Sequence, residues 1–284
     1  MAESASNRFG GDWTEEKLQI LADYLDFYTT ALKNQPFSLM YIDAFAGSGS
    51  ISLGQQDGDI EAFIEGSAQR AISVEDKPFD RLVFVEKNEG RYRQLEHLRT
   101  RYPSKDVRTI NSDANSFLEG LSEDWQRWRG VLFLDPFATE VKWATIEKIA
   151  RFNALDIWLL FPVSAIARML PRSRRPEDIS EIWASRLTEI FGDSSWQGLY
   201  SPSIQMSLFG EEVSERDPGV DGIIELFKAR LSDLFGDRFL EHSVTLRNSR
   251  NSPMFEFIFC VGSSSPRAIR LAKGVASHLM QLSE

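Results

Sequence analysis

Cysteine and histidine are scarce in this chain. Cys260 is the one cysteine, and the three histidines stand far apart at positions 97, 242 and 278. One cysteine cannot form an intrachain disulfide or a zinc site of several cysteines, and none of the histidines belongs to an HExxH pattern. We therefore expect neither a disulfide framework nor a bound metal.

Long apolar runs are also missing. No run approaches the roughly 18–20 residues that a membrane-spanning helix requires, and residues 1–13 have no apolar core of the kind that secretory signals carry. The 284 residues are nevertheless 42% apolar, with 20 Phe and 7 Trp, which is enough for a sizeable core. We expect a cytoplasmic protein with one large domain, or one domain with a substantial insertion.

Positive charge is in deficit. The chain has 32 Lys and Arg against 42 Asp and Glu, a net charge of −10. This balance argues against a protein that coats nucleic acid through its overall charge. It leaves a local basic face open, because net charge governs solubility and steering rather than individual sites.

Short apolar runs alternate with helical patterns over the first part of the chain. Strands are predicted at 39–45, 81–88, 107–113, 131–137 and 156–162, with helices between them. Continuous apolar strands, rather than alternating ones, indicate a parallel sheet covered on both faces. Right-handed crossovers then give a doubly wound, Rossmann-like α/β fold.

Four parts of the chain are predicted from this pattern. They are an N-terminal helical extension (1–36), a Rossmann-like core (37–175), a helical insertion (176–236) whose segment 192–221 is expected to be a mobile loop, and a C-terminal part (237–284). In the last part, two late strands form an antiparallel hairpin, and a final helix completes the core.

A glycine-bearing turn follows the first predicted strand. Gly47 and Gly49 allow a ligand to approach the backbone there. The next glycine is Gly54, so the GxGxxG fingerprint of dinucleotide-binding proteins is absent, and no lysine follows as a Walker loop requires. Neither a nicotinamide cofactor nor a nucleoside triphosphate is favoured.

The run from Asp43 to Gly49, D-x-F-A-G-x-G, resembles the first motif of class I S-adenosylmethionine-dependent methyltransferases. Its Phe at the first glycine position is the variant that is common among enzymes that methylate nucleic acids. The resemblance implies that S-adenosylmethionine is the cofactor. It also implies that Asp43, Phe45, Gly47 and Gly49 bind it.

Two later acidic residues match the same family pattern in chain order. Glu86 corresponds to the residue that such enzymes place on the ribose hydroxyls, where a carboxylate can accept two hydrogen bonds from a vicinal diol. Asp113 corresponds to the acidic position near the adenine amino group. Each match lies at the carboxyl end of a predicted strand, where open α/β sheets bind their ligands.

Asp135-Pro136-Phe137 ends the fourth predicted strand and is similar to the (D/N/S)PP(Y/F/W) motif of amino-nitrogen methyltransferases. The resemblance implies that Asp135 and a backbone carbonyl at Pro136 accept hydrogen bonds from the target amine, while Phe137 stacks on the target base. The chain lacks the second proline of the motif, and Ala138 follows Phe137. Cytosine C5 methylation is disfavoured, because it requires a cysteine nucleophile after this strand.

A closer resemblance covers residues 13–175. Segments such as YIDAFAGSGS, FVEKN and FLDPFATEVKWATIEKIA are similar to those of the three-Cys-motif partner protein family. Its members are bacterial and archaeal methyltransferase-like proteins, encoded beside a radical-type protein with three clustered cysteines. Two interpretations stay open: a methyltransferase that acts on an amino nitrogen of a nucleic acid base, and a methyltransferase-like partner protein without methylation activity of its own.

Two further segments suggest binding surfaces. Arg168, Arg172, Arg174 and Arg175 form a run without acidic residues and are predicted to hold phosphates of a substrate, or else to be solvated or paired with acidic residues at 211–225. Gln205–Phe209, QMSLF, is similar to the pentapeptide with which bacterial proteins dock on the replication sliding clamp. Gln205, Leu208 and Phe209 would bind that partner, or Leu208 and Phe209 would pin the loop to the core.

Overall fold

The computed structural model describes residues 12–47, 67–74, 77–171, 175–206, 212–216 and 219–282. Its helices are α1 (Asp12–Leu32), α2 (67–72), α3 (Glu89–Thr100), α4 (Ala114–Gly120), α5 (Trp143–Phe152), α6 (Val163–Met169), α7 (Glu181–Phe191), α8 (Gly219–Phe235) and α9 (Pro266–Gln281). Its strands are β1 (Ser38–Asp43), β2 (Arg81–Val85), β3 (Val107–Ile110), β4 (Trp128–Leu134), β5 (Leu155–Phe161), β6 (Tyr200–Met206), β7 (Glu212–Arg216), β8 (Val244–Arg247) and β9 (Pro253–Cys260).

Within the described residues, a seven-stranded sheet has the order β3-β2-β1-β4-β5-β9-β8. The pairs among β1 to β5 are parallel, whereas β9 runs antiparallel to both of its neighbours, β5 and β8. The chain order reverses between β1 and β4. In an open α/β sheet, the crevice outside the carboxyl ends of the strands at such a switch point is where ligands bind.

Helices cover both faces of this sheet, and each face has its own apolar core. One core joins the sheet to α4, α5, α6, α7 and α8, and the other joins it to α1, α2, α3 and α9. Every residue of β5 is buried, which explains why its sequence is apolar at every position except Asp156. The predicted Rossmann-like, mostly parallel fold with an antiparallel C-terminal hairpin is confirmed.

An aromatic cluster fastens the N-terminal helix α1 to the sheet. Trp158 of β5 has no exposed surface, and its ring centroid lies 5.2 Å from that of Tyr24 and 4.7 Å from those of Phe257 and Phe259. Aromatic pairs at such distances stabilise a fold by roughly 0.5–1.5 kcal/mol each, beyond the burial of their area. The helix α1 therefore contributes to the apolar core on its face of the sheet.

Two elements differ from the sequence-based expectation. The segment 192–221, expected to be a loop, contains a 3-10 helix (Ser194–Leu199) and an antiparallel ribbon of β6 and β7. A two-stranded ribbon tolerates Pro202 because each strand has one unpaired edge. The helix α6 was not predicted, since its seven residues are too short to show a helical period. None of the described helices is long and apolar enough to cross a membrane.

Candidate active site

A cavity of about 250 Å³ lies at the carboxyl ends of β1, β2 and β4, beside the switch point. Three of the residues predicted to bind cofactor or substrate line it, namely Phe45, Glu86 and Phe137. Ser112 and Ala114, which flank Asp113, complete one wall. The fold thus brings together Phe45 and Phe137, which lie 92 positions apart in the chain.

Glu86 follows β2 directly and is the acidic group of this cavity. The residue is 4% exposed, and one carboxylate oxygen, Oε1, accepts a hydrogen bond of 2.6 Å from the backbone N–H of Asn88. The other oxygen, Oε2, lies 4.0 Å from the Arg91 guanidinium. At that distance the arginine is an electrostatic neighbour, and Oε2 retains capacity to accept hydrogen bonds from a ligand.

Gly47 approaches this carboxylate closely. A Cβ atom at position 47 would lie 2.5 Å from Glu86 Oε2 and 2.9 Å from Arg91 Cβ. A side chain cannot fit there unless the carboxylate moves, so glycine is needed for the close approach of the two loops. The second predicted glycine, Gly49, lies outside the described residues.

Asp43, the last residue of β1, shapes the turn from beneath the cavity. Its carboxylate is 1% exposed and accepts hydrogen bonds from the Phe45 backbone N–H at 3.1 Å and from the Ser67 hydroxyl at 3.3 Å. Burial, followed by the negative charge of Asp135, raises the pKa of Asp43 to about 7, although both hydrogen bonds oppose the rise. Asp43 does not line the cavity itself.

Asp135 faces inward and forms a buried ion pair with Lys17 of α1. The Lys17 Nζ lies 2.6 Å from Asp135 Oδ2, and the two residues are 1% and 6% exposed. The Lys17 ammonium also lowers the pKa of Asp43, so one cation interacts favourably with two buried carboxylates. The sequence does not single out Lys17 as a site residue, although a lysine aligned with the apolar stripe of Leu18, Leu21 and Leu25 is a recognisable signal.

The buried phenol of Tyr41 completes this group. Its hydroxyl has no hydrogen-bond partner within the described residues. Burial, with the negative charges of Asp43 and Asp135, raises the pKa of Tyr41 well above its ordinary value. The neutral phenol therefore lies among charged groups that favour its protonated form.

Phe137 projects from the loop after β4, with half of its surface exposed at the cavity. Its backbone N–H donates a 3.1 Å hydrogen bond to Oε2 of Glu140, and that carboxylate is also ion-paired with Lys87 from the loop after β2. Asn115 holds the same loop from α4, donating a 2.8 Å hydrogen bond to the Glu140 carbonyl. Lys87, Asn115 and Glu140, which the motif did not indicate, thus hold the backbone of the loop that carries the aromatic ring.

Asp113 is the N-cap of α4. One of its carboxylate oxygens, Oδ1, accepts hydrogen bonds from the Ser116 backbone N–H at 3.0 Å and from the Ser116 hydroxyl at 3.3 Å. Capping is worth about 1 kcal/mol, which gives this acid a structural role independent of any ligand. Its adenine-binding role stays a prediction.

The predicted surface sites are only partly described. Arg168 lies in the last turn of α6, and Arg175 directly precedes a 3-10 helix (Pro176–Asp178), where its backbone N–H donates a hydrogen bond to the Asp178 carboxylate. Arg172 and Arg174 lie outside the described residues. Gln205 lies in β6, and Leu208 and Phe209 lie outside the described residues, so the clamp-docking peptide stays a prediction. The described residues contain no cluster of three or more side chains that could bind a metal.

The strand order, the single reversed strand and the cavity at the switch point define a Rossmann-like fold of the class I methyltransferase type. No protein-family model matches the chain, and no curated protein matches its sequence. The resemblance to the three-Cys-motif partner family therefore stays a prediction.

Solved structures with similar folds include several methyltransferases. Protein LPL1258 from Legionella pneumophila is 14% identical, with a TM-score of 0.48 over 96% of this chain and 94% of its own. A putative S-adenosylmethionine-dependent methyltransferase from Listeria monocytogenes is 13% identical, with a TM-score of 0.38 over 84% and 97%. The putative methyltransferase yhhF from Escherichia coli is 17% identical, with a TM-score of 0.29 over 50% and 69%.

Proposed function

We propose that this protein is an S-adenosylmethionine-dependent methyltransferase that acts on an amino nitrogen of a nucleic acid base. The observation that carries the proposal is the buried carboxylate of Glu86 at the cavity, directly after β2 and in contact distance of the Gly47 turn. This is the position at which a dinucleotide-binding α/β sheet presents an acidic side chain to the hydroxyl groups of a ribose.

The residues present fit that cofactor. Glu86 Oε2 would accept hydrogen bonds from the ribose hydroxyls, and the turn from Phe45 to Gly47 would let the ligand approach the backbone. Ser112 and Ala114 would flank the adenine. When bound, the cofactor supplies an electrophilic methyl group on a sulfonium.

The remaining task of the protein is to position the acceptor. Phe137, half-exposed at the cavity and held by Glu140, would stack on the target base. A backbone carbonyl at Pro136 would accept a hydrogen bond from the target amine and orient its lone pair for in-line attack. The base of a duplex would have to leave the stack in order to reach this ring.

The buried pair of Lys17 and Asp135 favours a second candidate function. The Asp135 carboxylate, which would accept a hydrogen bond from the target amine, is already bound by the chain's own Lys17 ammonium at 2.6 Å, and its side chain is 8% exposed. The alternative is a methyltransferase-like protein that binds the cofactor or a partner without transferring a methyl group. The predicted three-Cys-motif protein and the sliding clamp are candidate partners under this alternative.

Calorimetric titration with S-adenosylmethionine and S-adenosylhomocysteine tests the cofactor site. We expect micromolar binding to the wild-type protein and at least a tenfold loss in Glu86→Ala, about 1.4 kcal/mol. The exposed Glu89→Ala is the matched control and should bind as the wild type does. Absence of binding to folded wild-type protein would refute the methyltransferase proposal.

Transfer of labelled methyl groups to DNA and RNA oligonucleotides separates the two functions. For an enzyme, Phe137→Ala should lower methyl transfer by more than about tenfold while cofactor affinity stays within twofold, because the ring contacts the substrate. Cofactor binding without transfer to any oligonucleotide would support the partner function instead.

A further inference from the structure

A second and larger cavity, of about 640 Å³, lies at the amino ends of β4 and β5. It is on the opposite edge of the sheet from the candidate active site. Its walls come from α1, α9 and the connections that precede β1 and β5. Cavities of roughly 300–1,000 Å³ are typical of small-molecule sites, so this one is large enough to hold a ligand.

One side of this cavity is apolar. Phe27, Tyr28 and Leu32 line it from α1, Phe37 lines it from the residue before β1, and Leu271 lines it from α9. Leu271, which is part of the cavity wall, is 49% exposed. Contact of this apolar side chain with water is unfavourable. An apolar or aromatic group in the cavity would remove these surfaces from solvent.

The polar side of the cavity carries two cations. Arg129, which is half-buried, and Arg267, on the first turn of α9, line it, and neither forms an ion pair within the described part of the chain. The Arg129 guanidinium lies 4.3 Å over the Phe37 ring, and its Nη1 donates to the carbonyl oxygens of Trp125 and Trp128. Backbone carbonyls orient a guanidinium without neutralising its charge.

Asp156 also lines the cavity, but its carboxylate is hydrogen-bonded to other groups of the chain. Asp156 accepts hydrogen bonds of 2.6 Å from the Tyr24 hydroxyl and of 2.6 Å from the Gly262 backbone N–H. These contacts join β5 to α1 and to the end of β9, which gives Asp156 a structural role. It forms no ion pair with either arginine, so the positive charge of the cavity remains available to a ligand.

We propose that this cavity binds a small amphipathic anion. Its apolar or aromatic body would pack against Tyr28, Phe37 and Leu271. Its anionic head, a carboxylate, sulfonate or phosphate, would lie beside Arg129 and Arg267. The site is independent of the proposed methyltransferase function, because it shares no lining residue with the cavity at the carboxyl ends of the strands.

The fluorescent probe 8-anilinonaphthalene-1-sulfonate, an aromatic sulfonate, tests the site in the full-length protein. We expect saturable binding of one equivalent that persists when S-adenosylhomocysteine is present in excess. Ala268→Trp, which fills the cavity, should abolish this binding, and Arg267→Ala should weaken it by about fivefold or more. Arg270→Ala is the matched control, since Arg270 is exposed on the same helix and lies outside the cavity wall.

A second variant keeps the test decisive if Ala268→Trp does not fold. Leu271→Glu places a carboxylate in the wall at a solvent-exposed position, and it should repel the probe. Probe binding that is unchanged in the folded cavity variant, or absent from folded wild-type protein, would overturn the proposal.

Competition defines the ligand class. Octanoate should displace the probe at concentrations at least tenfold lower than 1-octanol, because only the former presents an anion to the arginines. Inorganic phosphate should not displace it, because phosphate lacks an apolar body. Equal displacement by octanol would refute the anionic head, and displacement by phosphate alone would refute the apolar body.

Discussion

At the scale of single residues, the candidate active site depends on how closely Gly47 approaches Glu86. In Gly47→Ala the new Cβ would meet Glu86 Oε2 at 2.5 Å, so the carboxylate would have to leave its position. We expect S-adenosylmethionine affinity to fall at least tenfold, about 1.4 kcal/mol, as measured by calorimetry. Gly120→Ala, where a Cβ has open space, is the control and should leave affinity unchanged. Equal affinities of the two variants would contradict the proposed contact.

The buried carboxyl of Asp43 makes stability depend on pH. Its folded-state pKa of about 7 lies above the ordinary value of 3.8, so the folded protein holds this proton where the unfolded chain has released it. Its contribution to stability is therefore present at low pH and is lost as pH rises from about 4 to about 7. Asp156, whose pKa is raised to about 6 by burial, acts in the same direction.

The variant Asp43→Asn isolates this effect, because an amide keeps the acceptor for the Phe45 N–H and cannot ionise. We compare the difference in free energy of unfolding, variant minus wild type, at pH 4 and at pH 8. This difference should be more favourable to the variant at pH 8, by up to about 4 kcal/mol. Urea unfolding at both pH values measures the change, and Asp156 contributes equally to the two proteins. A difference between variant and wild type that does not vary with pH would show that Asp43 titrates normally.

At the scale of elements, α1 is fastened to the candidate site by the Lys17–Asp135 pair. Lys17→Met leaves the carboxylates of Asp43 and Asp135 buried without their ammonium. Removing one partner of a buried pair costs roughly 3–5 kcal/mol, whereas replacing both with apolar groups of similar size is often neutral. We therefore expect Lys17→Met to be strongly destabilised, and the double variant Lys17→Met/Asp135→Leu to recover much of that loss.

A double-mutant cycle by urea unfolding checks this prediction. The control is Lys33→Met, at an exposed position directly after α1. It should change the free energy of unfolding by less than about 0.5 kcal/mol. Additive effects of the two substitutions at positions 17 and 135 would mean that the pair has no net coupling. The same cycle measured on methyl transfer would show whether Asp135 has a role beyond holding α1.

At the scale of the whole molecule, a net charge of −10 limits how nucleic acid can bind. Affinity must come from local cations, and each phosphate contact contributes about 0.7–0.9 to the slope of log K against log salt. Arg168→Ala/Arg175→Ala should therefore reduce that slope by about 1.5. Fluorescence anisotropy with a labelled oligonucleotide at several salt concentrations measures it. The control Arg250→Ala/Arg270→Ala should keep the wild-type slope, and an unchanged slope in the first variant would exclude these arginines from the interface.

The sequence predicted the elements that have a strong local pattern. The buried strands β1, β2, β4 and β5 each contain a continuous run of four or more apolar residues, and Asp43, Glu86 and Asp135 each stand where such a run ends. Since parallel strands present their carboxyl ends at one edge, their order in the chain was enough to predict a shared site. The ribbon of β6 and β7 and the short helix α6 have no such pattern, so they were not predicted.

Local pattern determined the fold class, the doubly wound sheet and the acidic residues at its carboxyl edge, because backbone geometry and burial act over a few neighbouring residues. Tertiary structure alone decided which of those acids face the cavity. It turned Asp135 inward onto Lys17, 118 positions away, left Asp43 protonated up to about pH 7, and paired Glu140, which binds the Phe137 backbone, with Lys87, 53 positions away. It also brought Arg129 and Arg267 to one cavity. Desolvation and long-range pairing depend on distances that no spacing along the chain specifies.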